Sequence, residues 1–152
     1  MGEVLTSDAL SPGELLGAFQ SSLEVSGGVV SFCGQVRPIN GAGQTVTTLH
    51  LQAHPSLTDA GILNAKAEAH SRWPLEASMI RHRIGDMAPG DTIVFVATAS
   101  AHRRAAFESA DFLMDYLKTK AVFWKKEITD TGAAWIEPRR EDHSDYARWA
   151  SA

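Results

Sequence analysis

From Ala106 to Leu117 the apolar residues recur at helical spacing, through Phe107, Ala110, Leu113 and Met114. A few positions on, the period drops to two, and Ala121 to Thr129 reads as a strand. Asp130-Thr-Gly132 has the composition of a hairpin turn, with Ala133 to Glu137 as the partner strand. A helix that feeds straight into a hairpin must lay its apolar face on a sheet, which already restricts the chain to mixed architectures. The junction carries Lys118, Lys120, Lys125 and Lys126 within nine residues, interleaved with Phe123 and Trp124. Lysines clustered beside large aromatics predict either a half-buried anion pocket or a basic surface stripe. Strand alternation places Phe123, Lys125 and Glu127 on one face and Val122, Trp124, Lys126 and Ile128 on the other. It leaves open which lysine enters a pocket. Two ammonium groups sharing one would each disfavour the other's charge, and desolvation would add to that. An amine so tuned can exchange protons near neutral pH.

The other segments fill in an α+β plan. Ser11-Pro-Gly-Glu14 is a helix start, with Ser11 as N-cap and Glu14 closing a capping box. Leu15, Leu16, Phe19 and Leu23 follow as its apolar face. Val29 to Val36 is an apolar strand, in which Gly34 marks a close approach to the backbone and Cys33 is expected to be an inert, buried thiol. Arg37 to Gln44 is a Pro- and Gly-containing loop, expected to be mobile, with Arg37 where strand becomes loop. Thr45 to Ala53 alternates as a strand. Ser56 to Arg72 is helical, with Leu57, Ile62, Leu63, Ala65 and Ala69 as its apolar face, and Trp73-Pro74 ends it. Leu75 to Arg83 and Asp91 to Ser100 are strands joined by the turn-rich Ile84–Gly90. Without strict strand–helix–strand alternation, the expectation is one α+β domain over residues 1–152. It has a largely antiparallel sheet, three main helices, and a charged tail, 139–152, that is mobile until it meets a partner.

Charge narrows the function. The net charge is −4, which argues against a general nucleic-acid binder. Residues 1–70 hold two basic against six acidic side chains, whereas 101–126 hold six basic against three acidic. One basic cluster in an acidic chain suits a small anion or an anionic chain end better than a polynucleotide. The N-terminal stretch lacks the pattern of a signal peptide, and no apolar run approaches the ~20 residues of a membrane span. A cytoplasmic setting is expected.

His102-Arg103-Arg104 opens a helix, where unpaired N–H groups carry partial positive charge, so phosphate or carboxylate is a natural occupant. His50, His54 and His70 lack metal-ligand spacing, and no metal or cofactor is expected. Arg81 and Arg83 share a strand face, read as solvated.

In order along the chain stand Phe32-Cys-Gly-Gln-Val-Arg37, Arg72-Trp-Pro74, His82-Arg-Ile-Gly85, Pro89-Gly-Asp91, Ser100-Ala-His-Arg103, Asp115-Tyr-Leu-Lys118 and Phe123-Trp-Lys-Lys-Glu127. This ordered set resembles the large, catalytic subunit of molybdopterin synthase over roughly residues 27–140. The resemblance implies an α/β-hammerhead fold and a homodimer. It also implies a small ubiquitin-like subunit on each copy, giving a heterotetramer. That subunit's C-terminal Gly-Gly thiocarboxylate would deliver two sulfurs to cyclic pyranopterin monophosphate, forming the dithiolene of molybdopterin. It further implies Lys118 and Lys125 as the catalytic pair. Arg37, His102, Arg103 and Arg139 would bind substrate, and Phe32 and Met114 would shape the channel for the partner's tail. A second reading from another class is a non-catalytic module that captures the carboxylate tail of a ubiquitin-like protein.

Overall fold

The computed structural model describes residues 3–151. Among these, eight strands make two four-stranded sheets. The first sheet has the order β1 (Leu5–Thr6), β4 (Leu75–Arg83), β6 (Thr92–Ser100), β2 (Gly28–Gln35). The second runs β5 (Gly85–Met87), β3 (Val46–Ala53), β7 (Phe123–Thr129), β8 (Gly132–Ile136). All pairings are antiparallel except that of β1 with β4.

Strand β6 lies between β4 and β2 and is buried on both faces, which explains its nearly unbroken apolar run. Phe95, Ala97 and Ala99 meet Phe19 of helix α1 (Pro12–Ser21). Val94 and Val96 turn the other way, into the main core with Ile62 of α2 (Leu57–Arg72) and Phe112 and Leu113 of α3 (Arg103–Thr119). Buried polar groups on β6 are satisfied: Thr98 donates to the Ala106 carbonyl at 2.7 Å and Ser100 to that of Pro74 at 2.8 Å. A smaller cluster of Val36, Val46, Leu49, Leu51 and Met87 lines the inner face of the second sheet. Gly34 is where expected, since a Cβ there would lie 2.9 Å from a Val94 methyl.

Several expectations are corrected. Helix α1 starts at Pro12, but Ser11 makes no side-chain cap bond, so the capping box is not formed. Within Ile84–Gly90, residues 85–87 pair with β3, because Gly85 at φ 93° turns the chain into the second sheet. Cys33 is exposed: it lies near the end of β2, away from the Val29 and Val30 positions that pack on the cores. Leu57, Leu63 and Phe107 are exposed too; Thr58, Ile62, Ala65 and Ala69 form the buried stripe of α2. Arg81 and Arg83 are not solvated: their side chains are 23% and 17% exposed, beside Glu3 and Asp91.

The tail is a fourth helix, α4 (Arg140–Ala147), and a 3-10 turn (Arg148–Ser151), ordered against the chain itself. Tyr146 and Trp149 close on Phe112, whose ring also meets Trp73 at 5.5 Å. Arg148 bonds Asp111 at 2.6 Å and Asp115 at 2.9 Å, and the Trp149 indole N–H donates to Asp115 at 2.7 Å. Composition alone hides this arrangement. The tail is polar on average, and its two aromatics find a pocket that only the folded α2 and α3 create.

Candidate active site

A cavity of about 290 Å³ opens where the end of α3 meets both sheets and the start of α4. Its position follows from the helix-to-hairpin junction. Lys118 lies in the last turn of α3, and β7 begins four residues after that helix ends. The Thr58 hydroxyl, donating to the Val122 carbonyl, pins the connection. Alternation along β7 then turns Phe123, Lys125 and Glu127 into the cavity. Lys126 points out over the Trp135 ring at 5.6 Å, and Lys120 leans on Tyr146 at 5.5 Å. The pocket and the stripe are thus decided strand face by strand face.

Six of the eight residues singled out from sequence line this cavity: Phe32, Arg37, Met114, Lys118, Lys125 and Arg139. Phe32 comes from the edge strand β2 and is 45% exposed, while Met114 lies one turn before Lys118 on α3. His102 and Arg103 do not join them. Both are exposed at the opposite end of α3. Fifteen residues at 1.5 Å each separate Arg103 from Lys118, about 22 Å along the axis.

Burial drives the Lys125 amine down from its ordinary 10.5 to about 8, and the charge of Lys118 pushes the same way. Asp142 and Glu127 partly oppose this shift. Asp142, only 8% exposed, closes a capping box with Arg139. Its Oδ2 accepts the Arg139 backbone N–H at 3.0 Å, and its Oδ1 accepts from the guanidinium at 3.1 Å. Burial works against that carboxylate. The Arg139 hydrogen bonds and the Lys118 charge outweigh it and hold Asp142 below the usual range.

Asn40 organises the loop after Arg37. Its side-chain oxygen accepts from Ala42 and Gln44, and its amide donates to Glu127 at 2.7 Å. The stretch expected to be mobile is therefore bonded to β7. Four cavity residues were given no role in the sequence reading: His82, Asn40, Glu127 as its anchor, and Asp142. For His82 the signal was there, since alternation around Arg81 and Arg83 turns the middle residue to the opposite face. The rest depends on contacts between distant segments.

An anion is the natural occupant of a cavity lined by Arg37, Lys118, Lys125 and Arg139, and Lys125 can exchange a proton there. Among the described residues no group of three or more His, Cys, Asp or Glu side chains is placed to hold a metal. No described helix is long and apolar enough to cross a membrane. Fold and site together define an α+β protein with two lysines and two arginines around one cavity.

Residues 5–120 match the family model described as MoaE protein. A molybdopterin synthase catalytic subunit from Caulobacter vibrioides is 48% identical over 145 residues, 95% of each chain. A solved molybdopterin biosynthesis MoaE protein from Burkholderia ambifaria superposes with a TM-score of 0.81 at 37% identity, over 98% of each chain. The complex of subunits 1 and 2 of molybdopterin-converting factor from Helicobacter pylori shares the fold, with a TM-score of 0.75 at 20% identity over 90% of each chain. The chain belongs to the MoaE family.

Proposed function

We propose that this chain is the catalytic, sulfur-transferring subunit of a molybdopterin synthase. It converts cyclic pyranopterin monophosphate to molybdopterin with sulfur from the C-terminal Gly-Gly thiocarboxylate of a small ubiquitin-like subunit. The observation that carries the reading is Lys125, an amine poised near neutrality beside Lys118 in a cavity also lined by Arg37 and Arg139. Both proposed occupants are anions. A mixed wall of cations and apolar groups holds them together and keeps bulk water out. The thiocarboxylate sulfur bonds to a pterin side-chain carbon and displaces an oxygen substituent there; one water then hydrolyses the acyl–sulfur bond, leaving a carboxylate on the carrier and a thiolate on the pterin, with protons moving on and off the reacting groups. The two lysines are suited to move them. Phe32 and Met114 line the way in for the tail. The Helicobacter assembly of two subunits supports a partner of this kind.

In this reading the chain works as a homodimer carrying two small subunits, a heterotetramer. Arg103 and Phe107 are one turn apart on the same face of α3, and Phe107 is 61% exposed. Burying that face against a second copy would place His102 and Arg103 at a subunit boundary, able to reach the pocket of the other copy. Sedimentation is expected to give twice the 16.4 kDa of one chain. A monomer at working concentration would contradict a shared site.

Mixing the chain with a thiocarboxylated small subunit and the sulfur-free pterin is expected to yield dithiolene product. In Lys118→Ala turnover is expected to fall by roughly 10³-fold, with small-subunit binding and melting temperature close to wild type. Tight binding without product by the wild-type chain would reduce it to a tail-binding module. A collapsed melting temperature in the variant would mark Lys118 as structural.

A further inference from the structure

Helix α4 buries one residue, and that residue is an acid, Asp142. The far end of the helix is fixed by Tyr146 and by the Arg148 bonds to Asp111 and Asp115, so its first turn is delivered to the cavity as a rigid unit. The Asp142 carboxylate makes more bonds there than a helix cap requires. Oδ2 accepts the Arg139 backbone N–H at 3.0 Å, which is enough to close the first turn. The same oxygen takes the Arg139 Nε–H at 3.4 Å, and Oδ1 takes an Nη2–H at 3.1 Å. One side of the guanidinium is therefore laid along both carboxylate oxygens. Arginine carries five N–H donors in one plane, so three remain, all on the Nη1–Nη2 edge. No other described residue bonds them, and the Arg139 side chain is 72% exposed where it lines the cavity.

We propose that Asp142 is a positioning residue for Arg139, holding its guanidinium by one side and leaving the Nη1–Nη2 edge to take the phosphate of the pterin substrate. An unrestrained arginine samples many rotamers, and binding an anion must then still them. Asp142 restrains the side chain before the substrate arrives. The edge it leaves free is the fork whose spacing matches two oxygens of a phosphate. A lysine at this position would carry the charge without the fork. The Asp142–Arg139 pair is neutral overall, so what it contributes to affinity is direction. Arg37, Lys118 and Lys125 supply the net positive charge of the cavity wall. Both carboxylate oxygens are already engaged, so neither is left bare against the incoming anion.

The choice of ligand rests on the sulfur-transfer reading, so the first measurement needs no substrate. In full-length chain carrying ¹⁵N-labelled arginine, the Arg139 Nη groups are expected to give resolved signals, because a guanidinium held along one side rotates slowly about Nε–Cζ. In Asp142→Asn one amide oxygen can still cap the Arg139 backbone N–H, but the amide nitrogen cannot accept from the guanidinium. The Nη signals are expected to merge in that variant while amide exchange over α4 stays as in wild type. The second measurement is pterin affinity in the complex assembled with an unthiolated small subunit, where no sulfur can be transferred. Asp142→Asn is expected to weaken it about tenfold, and to cause no further loss in an Arg139→Ala background. Merged Nη signals in the wild type overturn the proposal, and that result needs no variant to fold. An unchanged affinity in Asp142→Asn overturns it as well, as does an equal loss in both backgrounds, which would mean that Asp142 acts on the helix alone. A wild-type complex that never binds the pterin, with Nη signals resolved and lost in Asp142→Asn, defeats the functional reading and leaves the hold of Asp142 on Arg139 standing.

Discussion

Lys125→Met is expected to abolish sulfur transfer and, at the same time, to raise the melting temperature at pH 7. The lysine sits in the folded chain with its amine near 8 instead of 10.5, chiefly because burial strips water from the ammonium. Between those two values the unfolded chain binds more protons than the folded one, so stability rises with pH across the window. Below about 8 the full cost of holding the ammonium in the cavity is present. Methionine keeps most of the methylene packing and removes the charge. The gain is on the order of 2 kcal/mol after allowing for solvent near the cavity mouth. For a chain of this length that is roughly 4–8 °C. Activity is expected to fall by about 10³-fold or more. Calorimetry from pH 7 to 11 checks the first part: the advantage of the variant should shrink as pH passes 8 and be gone above about 10.5. A variant melting below wild type at pH 7 would mean that the ammonium is well paired, and that its tuning is not burial.

Phe112→Ala is expected to be the most destabilising single truncation near the site. Phe112 is 1% exposed and joins Trp73, Tyr146 and Trp149 in one aromatic cluster, with the Arg72 guanidinium 5.0 Å from the ring centre. Removing the ring costs ~3–5 kcal/mol as lost burial plus a cavity that the surrounding rings cannot close. The loss is unevenly felt. Because Tyr146 and Trp149 hold α4 against α3, hydrogen exchange should quicken over residues 139–151 before it quickens in β6. Arg139 and Asp142 ride on that segment, so affinity for the pterin should weaken as well. A loss below 1 kcal/mol, or uniform exchange across the chain, would count against this account.

The strands and long helices were legible because each has one dominant period. Leu75–Arg83 matches β4 to the residue, and the alternation across Phe123–Ile128 gave the correct facing of each lysine once one face was known to be inward. The misreadings share a physical cause. Leu57, Leu63 and Phe107 are apolar at plausible helical positions, yet periodicity does not say where a neighbouring element ends. Gly85–Met87 looked like a turn because its pairing partner, β3, lies more than thirty residues earlier. Asp142 is one acid in a charged tail until α4 folds back over the lysines. Contacts that long-range closure creates leave no local trace, and the site is built mainly from such contacts.

Helix α3 also works as a ruler. It carries Arg103 at one end and Met114 and Lys118 at the other, and each added residue would lengthen it by 1.5 Å and rotate everything beyond by 100°. One insertion near Ala110 would swing Lys118 out of the cavity without touching a single cavity residue. The Gly41–Gly43 tip and the 130–131 hairpin tip face solvent and feed no side chain into the pocket. The fold should therefore tolerate length changes at those tips and none between Arg103 and Glu127.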